Sequence, residues 1–336
     1  MANNGIIYAN TTASALLPKL INQDKQLRIL DCKSGDAAVK ILMEYGFGDG
    51  VTVVNPFEFE KLCDQEEANL YRFIVDFCPK ETAKTALTAK YDYHNLKALF
   101  KCKYGKNVDF NKLVFKFTDN NVDALKEQIF ADIYDSLSER QKAVAIKMDE
   151  LHVQGALTPS MIDIECDKAM YGEIFDNLKK LHEEKLTAFY QMKVDLTNLS
   201  TLFRATEFAF SPRAIKNMLI DGGSLSENVF DCYIEGNGEK FKDLIKITAY
   251  REAVDLLLNG KSATDSIVKF EALAENMQMK LFKSIKYLPQ EGLNQFFSYV
   301  VARNAVIRNI RLIMVCLNNR LDKAEIRERL VETYDR

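Results

Sequence analysis

An eleven-residue signature recurs along this chain, and it constrains the fold more than any other feature. Tyr91-Asp-Tyr-His-Asn-Leu-Lys-Ala-Leu-Phe-Lys101 and Val194-Asp-Leu-Thr-Asn-Leu-Ser-Thr-Leu-Phe-Arg204 carry Asp, Asn, Leu, Leu, Phe and a basic residue at the same offsets. A weaker third copy, Ala305-Val-Ile-Arg-Asn-Ile-Arg-Leu-Ile-Met-Val315, keeps Asn309, Ile310, Ile313 and Met314. There Val306 replaces the aspartate and Val315 the basic end. The asparagines at 95, 198 and 309 lie 103 and 111 residues apart, and an acidic residue precedes each: Glu60 by 35, Asp163 by 35 and Glu271 by 38. Recurrence at a long fixed period marks units that bury their apolar faces on one another. The spacing predicts three units of roughly 100 residues, placed at 9–115, 116–218 and 219–336.

Those units read as helical. Leu125, Ile129, Ile133 and Leu137 recur at every fourth position; Leu178, Leu181, Leu186 and Phe189 form a similar stripe, and so do Ile307, Ile310, Ile313, Met314 and Leu317. Only 14 glycines and 6 prolines occur in 336 residues, too few for the many tight turns of a sandwich or barrel. Gly5–Tyr8, Val51–Val54 and Leu113–Phe117 look strand-like, but each is too isolated to build a sheet. The main breaks fall at Asn55-Pro56, Gly105, Thr158-Pro159, Ser211-Pro212, Gly222-Gly223, Gly236-Asn-Gly238 and Leu288-Pro289. Within the signature, an aspartate just before an apolar stripe suits a helix N-cap. An asparagine three residues on would then serve the same first-turn amides. That role is structural and argues against catalysis by Asp92 or Asp195.

Catalytic and cofactor chemistry finds little support. Gly260-Lys261-Ser262 ends like a P-loop, but Asp255 stands where the first glycine is needed. Gly105-Lys106 is followed by Asn107 and preceded at the required place by Phe100, and Gly46-Phe-Gly-Asp-Gly50 meets Val51 instead of a third glycine. Asp163-x-Glu165-x-Asp167 lacks the glycine and the terminal glutamate of a calcium loop, at Lys168 and Ile174, and suits an acidic helix start better. Three histidines, His94, His152 and His182, form no zinc motif and no triad. No catalytic residue, cofactor or metal is therefore expected. A net charge of −3 gives no basic footprint for nucleic acid. Seven cysteines without a CxxC pair favour reduced thiols in the cytosol, which makes chance matches of the sequons at Asn10 and Asn198. Neither a secretory leader nor a run long enough to span a membrane is evident.

With the three signatures in view, the sequence resembles the C subunits of the V-type ATPases of archaea and bacteria, the counterparts of the d subunit in the eukaryotic vacuolar pump. The resemblance covers almost the whole chain. It rests on Tyr91–Lys97, on Val194–Leu199 with Phe203-Arg204, and on Leu219-Ile-Asp-Gly-Gly-Ser-Leu225. Arg308-Asn-Ile-Arg-Leu-Ile313, Ile326-Arg-Glu-Arg-Leu330 and Tyr334 complete it. One departure stands out: Arg303-Asn304-Ala305-Val306-Ile307 occupies the place of the family's Lys-Glu-x-Glu-Ile pattern. The resemblance implies an all-α, funnel-shaped body of three pseudo-symmetric segments. It implies a non-catalytic rotor part on the cytoplasmic face of the membrane. Its partners would be the proteolipid ring and the central shaft of the ATP-driven head. A free-standing cytosolic helical-repeat adaptor is the rival expectation.

One polar feature rises above background. Arg303, Arg308, Arg311 and Arg320 fall within Arg303–Leu321, which has no acidic residue. They are candidates for contact with an acidic partner surface or lipid headgroups. Alternatively they pair with the chain's own carboxylates, plentiful over Glu58–Glu67.

Overall fold

In the computed structural model, residues 2–105, 109–118, 121–259, 263–283 and 292–334 are described, and every regular element among them is helical. The chain begins with α1 (Ala2–Leu16), α2 (Gln23–Leu30) and α3 (Gly35–Glu44). A long pair follows, α4 (Glu60–Phe77) and α5 (Glu81–Tyr104), then the short α6 (Phe110–Leu113), α7 (Val122–Phe130) and α8 (Glu139–Val153). The second long pair is α9 (Pro159–Leu181) and α10 (Glu184–Glu207), trailed by α11 (Pro212–Met218), α12 (Glu227–Ile234), α13 (Gly238–Lys246) and α14 (Arg251–Asn259). The third is α15 (Ala263–Lys283) and α16 (Asn294–Asn319), with α17 (Lys323–Arg329) last.

The six long helices pack in a closed circuit. Each contacts its successor in the order α4, α5, α9, α10, α15, α16, and α16 returns onto α4; the α5–α9 contact is the most extensive. The short helices cover the outside: α7 on α5, α8 on α9, α11 and α12 on α10, α14 on α15, and α2, α3 and α17 on α16. Two-period alternation is scarce in the sequence, so helices have no sheet to rest on and bury their stripes on each other.

Start signals sit at three of the breaks: Thr158 and Ser211 accept the N3 amides ahead of Pro159 and Pro212, and Asn237 caps α13. Ser138 with Gln141 forms a capping box on α8, away from any of those breaks. Gly105 closes α5. Leu288-Pro289 and the P-loop-like Gly260-Lys261-Ser262 lie outside the described residues.

Several local expectations are corrected. Gly5–Tyr8 is helical inside α1, and Val51–Val54 joins no regular element. Leu113–Phe117 ends α6 and continues as irregular backbone without a neighbouring strand. The Leu125–Leu137 stripe is not one helix: α7 stops at Phe130, and Asp132 turns the chain with φ +59°. The Leu178–Phe189 stripe spans two helices joined at His182, whose φ of +56° is left-handed; all four apolar residues still enter one core. Asp163, Glu165 and Asp167 lie beyond the first turn of α9 and neutralise Lys101, Lys147 and Lys97 respectively.

Candidate functional site

The signature asparagines are the first surprise. Asn95, Asn198 and Asn309 are buried in the middle of α5, α10 and α16, so neither they nor Asp92 and Asp195 cap a helix start. The N-cap expectation fails because no breaker precedes the signature, and the helix begins some ten residues earlier. Each carboxamide instead acts as a surrogate peptide group for backbone further along. Asn95 Nδ2 donates to the Phe115 carbonyl at 2.9 Å while the Phe115 amide donates to Oδ1 at 2.8 Å. Asn198 makes the same pair with Ile220, both at 2.8 Å. Asn309 makes it with Val331, at 2.8 and 3.0 Å, and also donates to Gln26 Oε1 at 2.8 Å. Buried backbone groups outside regular structure need such partners.

Asp195, fully buried, adds a second clasp. It accepts from the amides of Ser224 and Leu225 at 2.9 and 3.0 Å, from the Ser224 hydroxyl, and from the Tyr250 hydroxyl at 2.7 Å. Its carboxylate is fully engaged in holding the Gly222-Gly223 turn.

Ion pairs join the long helices into the circuit. Lys101 of α5 meets Asp163 of α9 at 2.7 Å and Lys97 meets Asp167 at 2.6 Å. Arg204 of α10 pairs with Glu271 of α15. Arg311 of α16 meets Glu60 of α4 at 2.9 Å, Glu67 at 2.5 Å and Asp64 at 3.5 Å. The acidic partners Glu60, Asp163 and Glu271 are the residues that precede the three asparagines in sequence. Their bases come from the signature helix of the preceding long pair, and the last returns to the first.

Three of the four candidate arginines thus carry internal partners. Arg303, half-buried, holds the buried Glu66 at 2.8 Å and also donates to the Tyr299 hydroxyl at 2.8 Å. Arg308 meets Glu275 at 2.7 Å, although its Nη1 is buried without an acceptor. Arg311 is engaged as above. Arg320 is exposed at the left-handed cap of α16 and forms no ion pair among the described residues.

Between α5, α10, α15 and α16 lies a cavity of about 670 Å³. Its charged lining comprises Lys90, Lys193, Arg204, Arg308, Glu271 and Glu275. Two arginine–glutamate pairs cancel there, which leaves Lys90 and Lys193. Lys90 donates to Asn304 Oδ1 at 2.7 Å. Burial, reinforced by Lys193, lowers its pKa from 10.5 to about 8. Burial lowers Lys193 as well, and raises Glu275 against the opposing pull of Arg308 and Lys193. The sequence reading missed both lysines. A signal was present: Lys90, Lys193 and Asn304 each stand five residues before a signature asparagine.

A family model described as ATP synthase (C/AC39) subunit matches residues 9–329. The chain belongs to this family. The C subunit of the V-type sodium ATPase of Enterococcus hirae is 22% identical over 328 residues, covering 94% of this chain and 95% of that protein. The C subunit of the A-type ATP synthase of Methanococcoides burtonii is 24% identical, covering 81% and 74%. That of Pyrococcus abyssi is 20% identical, covering 97% and 90%. In this member of the C/AC39 family, no helix of the described residues is long and apolar enough to cross a membrane, and no group of three or more metal-ligating side chains gathers among them.

Proposed function

We propose that this chain is a non-catalytic central-stalk subunit of a V-type ATPase, linking the rotor shaft of the ATP-hydrolysing head to the membrane proteolipid ring. ATP turnover is thereby coupled to proton or sodium transport. The protein sits peripherally on the cytoplasmic face through the complex. It binds no cofactor and has no reaction of its own.

The observation that supports this reading is the closed circuit of six helices, stitched by ion pairs from one long pair to the next, with a cavity between four of them. A torque-transmitting part must be stiff, and a ring resists shear better than an open stack because its first and last members are tied. Dense packing within each unit adds to that stiffness. The units 9–115, 116–218 and 219–336 are read as one long pair and one signature asparagine each, the Asn198 clamp reaching Ile220 just past the second boundary. The units form a pseudo-threefold, funnel-shaped body whose cavity receives the shaft. Of the four arginines, Arg320 has its guanidinium free for a partner, whereas Arg303, Arg308 and Arg311 act by keeping the body closed.

Tagging the protein in its native cell and purifying it gently from detergent-solubilised membranes tests the proposal. Recovery with a proteolipid ring and a multi-subunit ATPase is the expected result. Recovery as a lone soluble protein, with the ATPase intact elsewhere, overturns it in favour of the cytosolic adaptor.

A further inference from the structure

The cavity between α5, α10, α15 and α16 holds more donors than acceptors. Four cations line it, Lys90, Lys193, Arg204 and Arg308, against two carboxylates, Glu271 and Glu275. Those carboxylates are engaged by Arg204 and Arg308, and Lys90 donates to Asn304 Oδ1 at 2.7 Å. The Lys193 ammonium forms no hydrogen bond or ion pair among the described residues, and Arg308 Nη1 is a buried donor with no acceptor. Further along α10, Ser200 and Thr201 also line the cavity, and their hydroxyls make no hydrogen bond among the described residues. These groups are neighbours. Glu275, the partner of Arg308, lies within the field of Lys193, and Lys193 within that of Lys90. Enclosed donors of this kind favour a ligand that brings acceptors.

We infer that the cavity of the unassembled chain binds a small organic phosphate, its phosphate group at Lys193 and Lys90 and the rest of the molecule reaching towards Ser200, Thr201 and Arg308 Nη1. The inference goes beyond the stalk reading and stands without it. That reading gives the same space to the shaft, so the ligand belongs to the chain before assembly. Charge selects the ligand class. Four cations against two carboxylates leave two positive charges, which a phosphate dianion balances. A lysine ammonium binds a phosphate as a point charge with three donors, and Lys90 uses one of its three on Asn304. Extent selects an organic phosphate over the inorganic ion. Lys193 and Ser200 stand about 10 Å apart along the axis of α10, beyond the reach of one phosphate group. Apolar walls at Leu186, Phe189, Phe297 and Val300 suit the carbon-bearing part of the ligand, and the volume of about 670 Å³ lies within the usual range for small-molecule sites.

Calorimetric titration of the full-length chain with ADP, glycerol phosphate and inorganic phosphate at matched ionic strength tests the inference. At least one of the two organic phosphates should bind with a Kd below about 1 mM and at least tenfold more tightly than inorganic phosphate. Lys193→Gln should weaken that binding at least tenfold, whereas Lys193→Arg keeps the charge and should stay within threefold of the wild type. Melting temperatures report whether the variants fold. If Lys193→Gln does not fold, Ser200→Ala/Thr201→Val replaces it, with a threefold loss expected. Unchanged binding by a folded glutamine variant overturns the inference, and so does the absence of binding by both organic phosphates. Inorganic phosphate bound as tightly as the organic ones assigns the donors to a free ion and overturns it too. None of these results bears on recovery of the chain with the membrane complex, by which the stalk reading stands or falls.

Discussion

Arg311 on α16 meets Glu60 at the start of α4, 251 residues earlier in sequence, and this contact ties the last long helix to the first. Glu67 and Asp64 crowd the same guanidinium. Burial works against its charge, but the hydrogen bonds to Glu60 and Glu67 and the field of Glu67 raise its pKa. Replacing Arg311 by glutamate would set four carboxylates together at the closure. The site is partly buried, so the loss lies between the 0–1 kcal/mol of an exposed pair and the 3–5 kcal/mol of a broken buried one, at about 2–3 kcal/mol. Urea unfolding of Arg311→Glu should show this loss. An unchanged midpoint would mean that the closure contributes no stability.

Asn309 is the most enclosed of the three clamps, since its carboxamide serves Val331 at both backbone atoms and Gln26 as well. Asn309→Leu strands a buried amide and a buried carbonyl and should cost about 3–4 kcal/mol. Asn95→Leu should cost less, about 1–2 kcal/mol, because its Phe115 partner is only half-buried and water can substitute. Comparing urea midpoints of the two variants tests the ranking, and equal losses would contradict it.

A Cβ on Gly223 would fall 2.1 Å from Asp195 Oδ1, the oxygen that holds the Leu225 amide. Gly223→Ala must push that carboxylate off its donors and should lower stability by about 2–3 kcal/mol. At Gly238, the first residue of α13, a Cβ meets nothing within 4 Å. Gly238→Ala should therefore be neutral or gain up to about 1 kcal/mol from the reduced freedom of the unfolded chain. Thermal melts of the two variants should shift in opposite directions, or only the first should shift.

The threefold signature, the helical class and the starts of α9, α11 and α13 were legible because each is local. A cap next to a proline, or an apolar stripe, needs no knowledge of distant residues. The work of Asn95, Asn198 and Asn309 was not legible, since their partners lie 20 to 22 residues away in backbone that has no pattern of its own. The acidic residues at 60, 163 and 271 were visible as a recurrence, but not as bridges. A repeat fixes offsets within a unit and says nothing about which neighbour a side chain will face. The Arg303–Leu321 run left two readings open, an external partner or the chain's own carboxylates over Glu58–Glu67, and α4 supplies Glu66 to Arg303 and Glu60, Asp64 and Glu67 to Arg311. Glu275 on α15, the partner of Arg308, had no such signal.

Arg320 ends α16 with φ +54°, a conformation that costs an L side chain roughly 1 kcal/mol and suits glycine. Arg320→Gly should therefore leave stability unchanged or raise it by up to about 1 kcal/mol. If the exposed guanidinium contacts a partner, the same variant should be recovered less fully with the membrane complex. Full recovery together with the stability gain would remove Arg320 from any interface.

Lys90 offers a test by pH. Its ammonium faces Lys193 from α10, Glu67 from α4 and Arg311 from α16, and its pKa falls to about 8 from 10.5. Below pH 8 the group is protonated in both folded and unfolded chains, and the cost of burying the charge is present in full. Between pH 8 and 10.5 the unfolded chain binds more protons than the folded one, so this residue's contribution to stability rises with pH. Lys90→Met removes the buried charge and should stabilise the protein at pH 7 by about 2 kcal/mol, the full linkage value being reduced because the cavity admits water. That advantage should shrink steadily from pH 8 towards pH 10. Urea midpoints of wild type and variant taken in parallel at pH 7, 8, 9 and 10 read the difference directly, so the raised pKa values of Tyr91 and Tyr190 cancel from it. A difference that stays constant across the series would place the Lys90 pKa at its ordinary value.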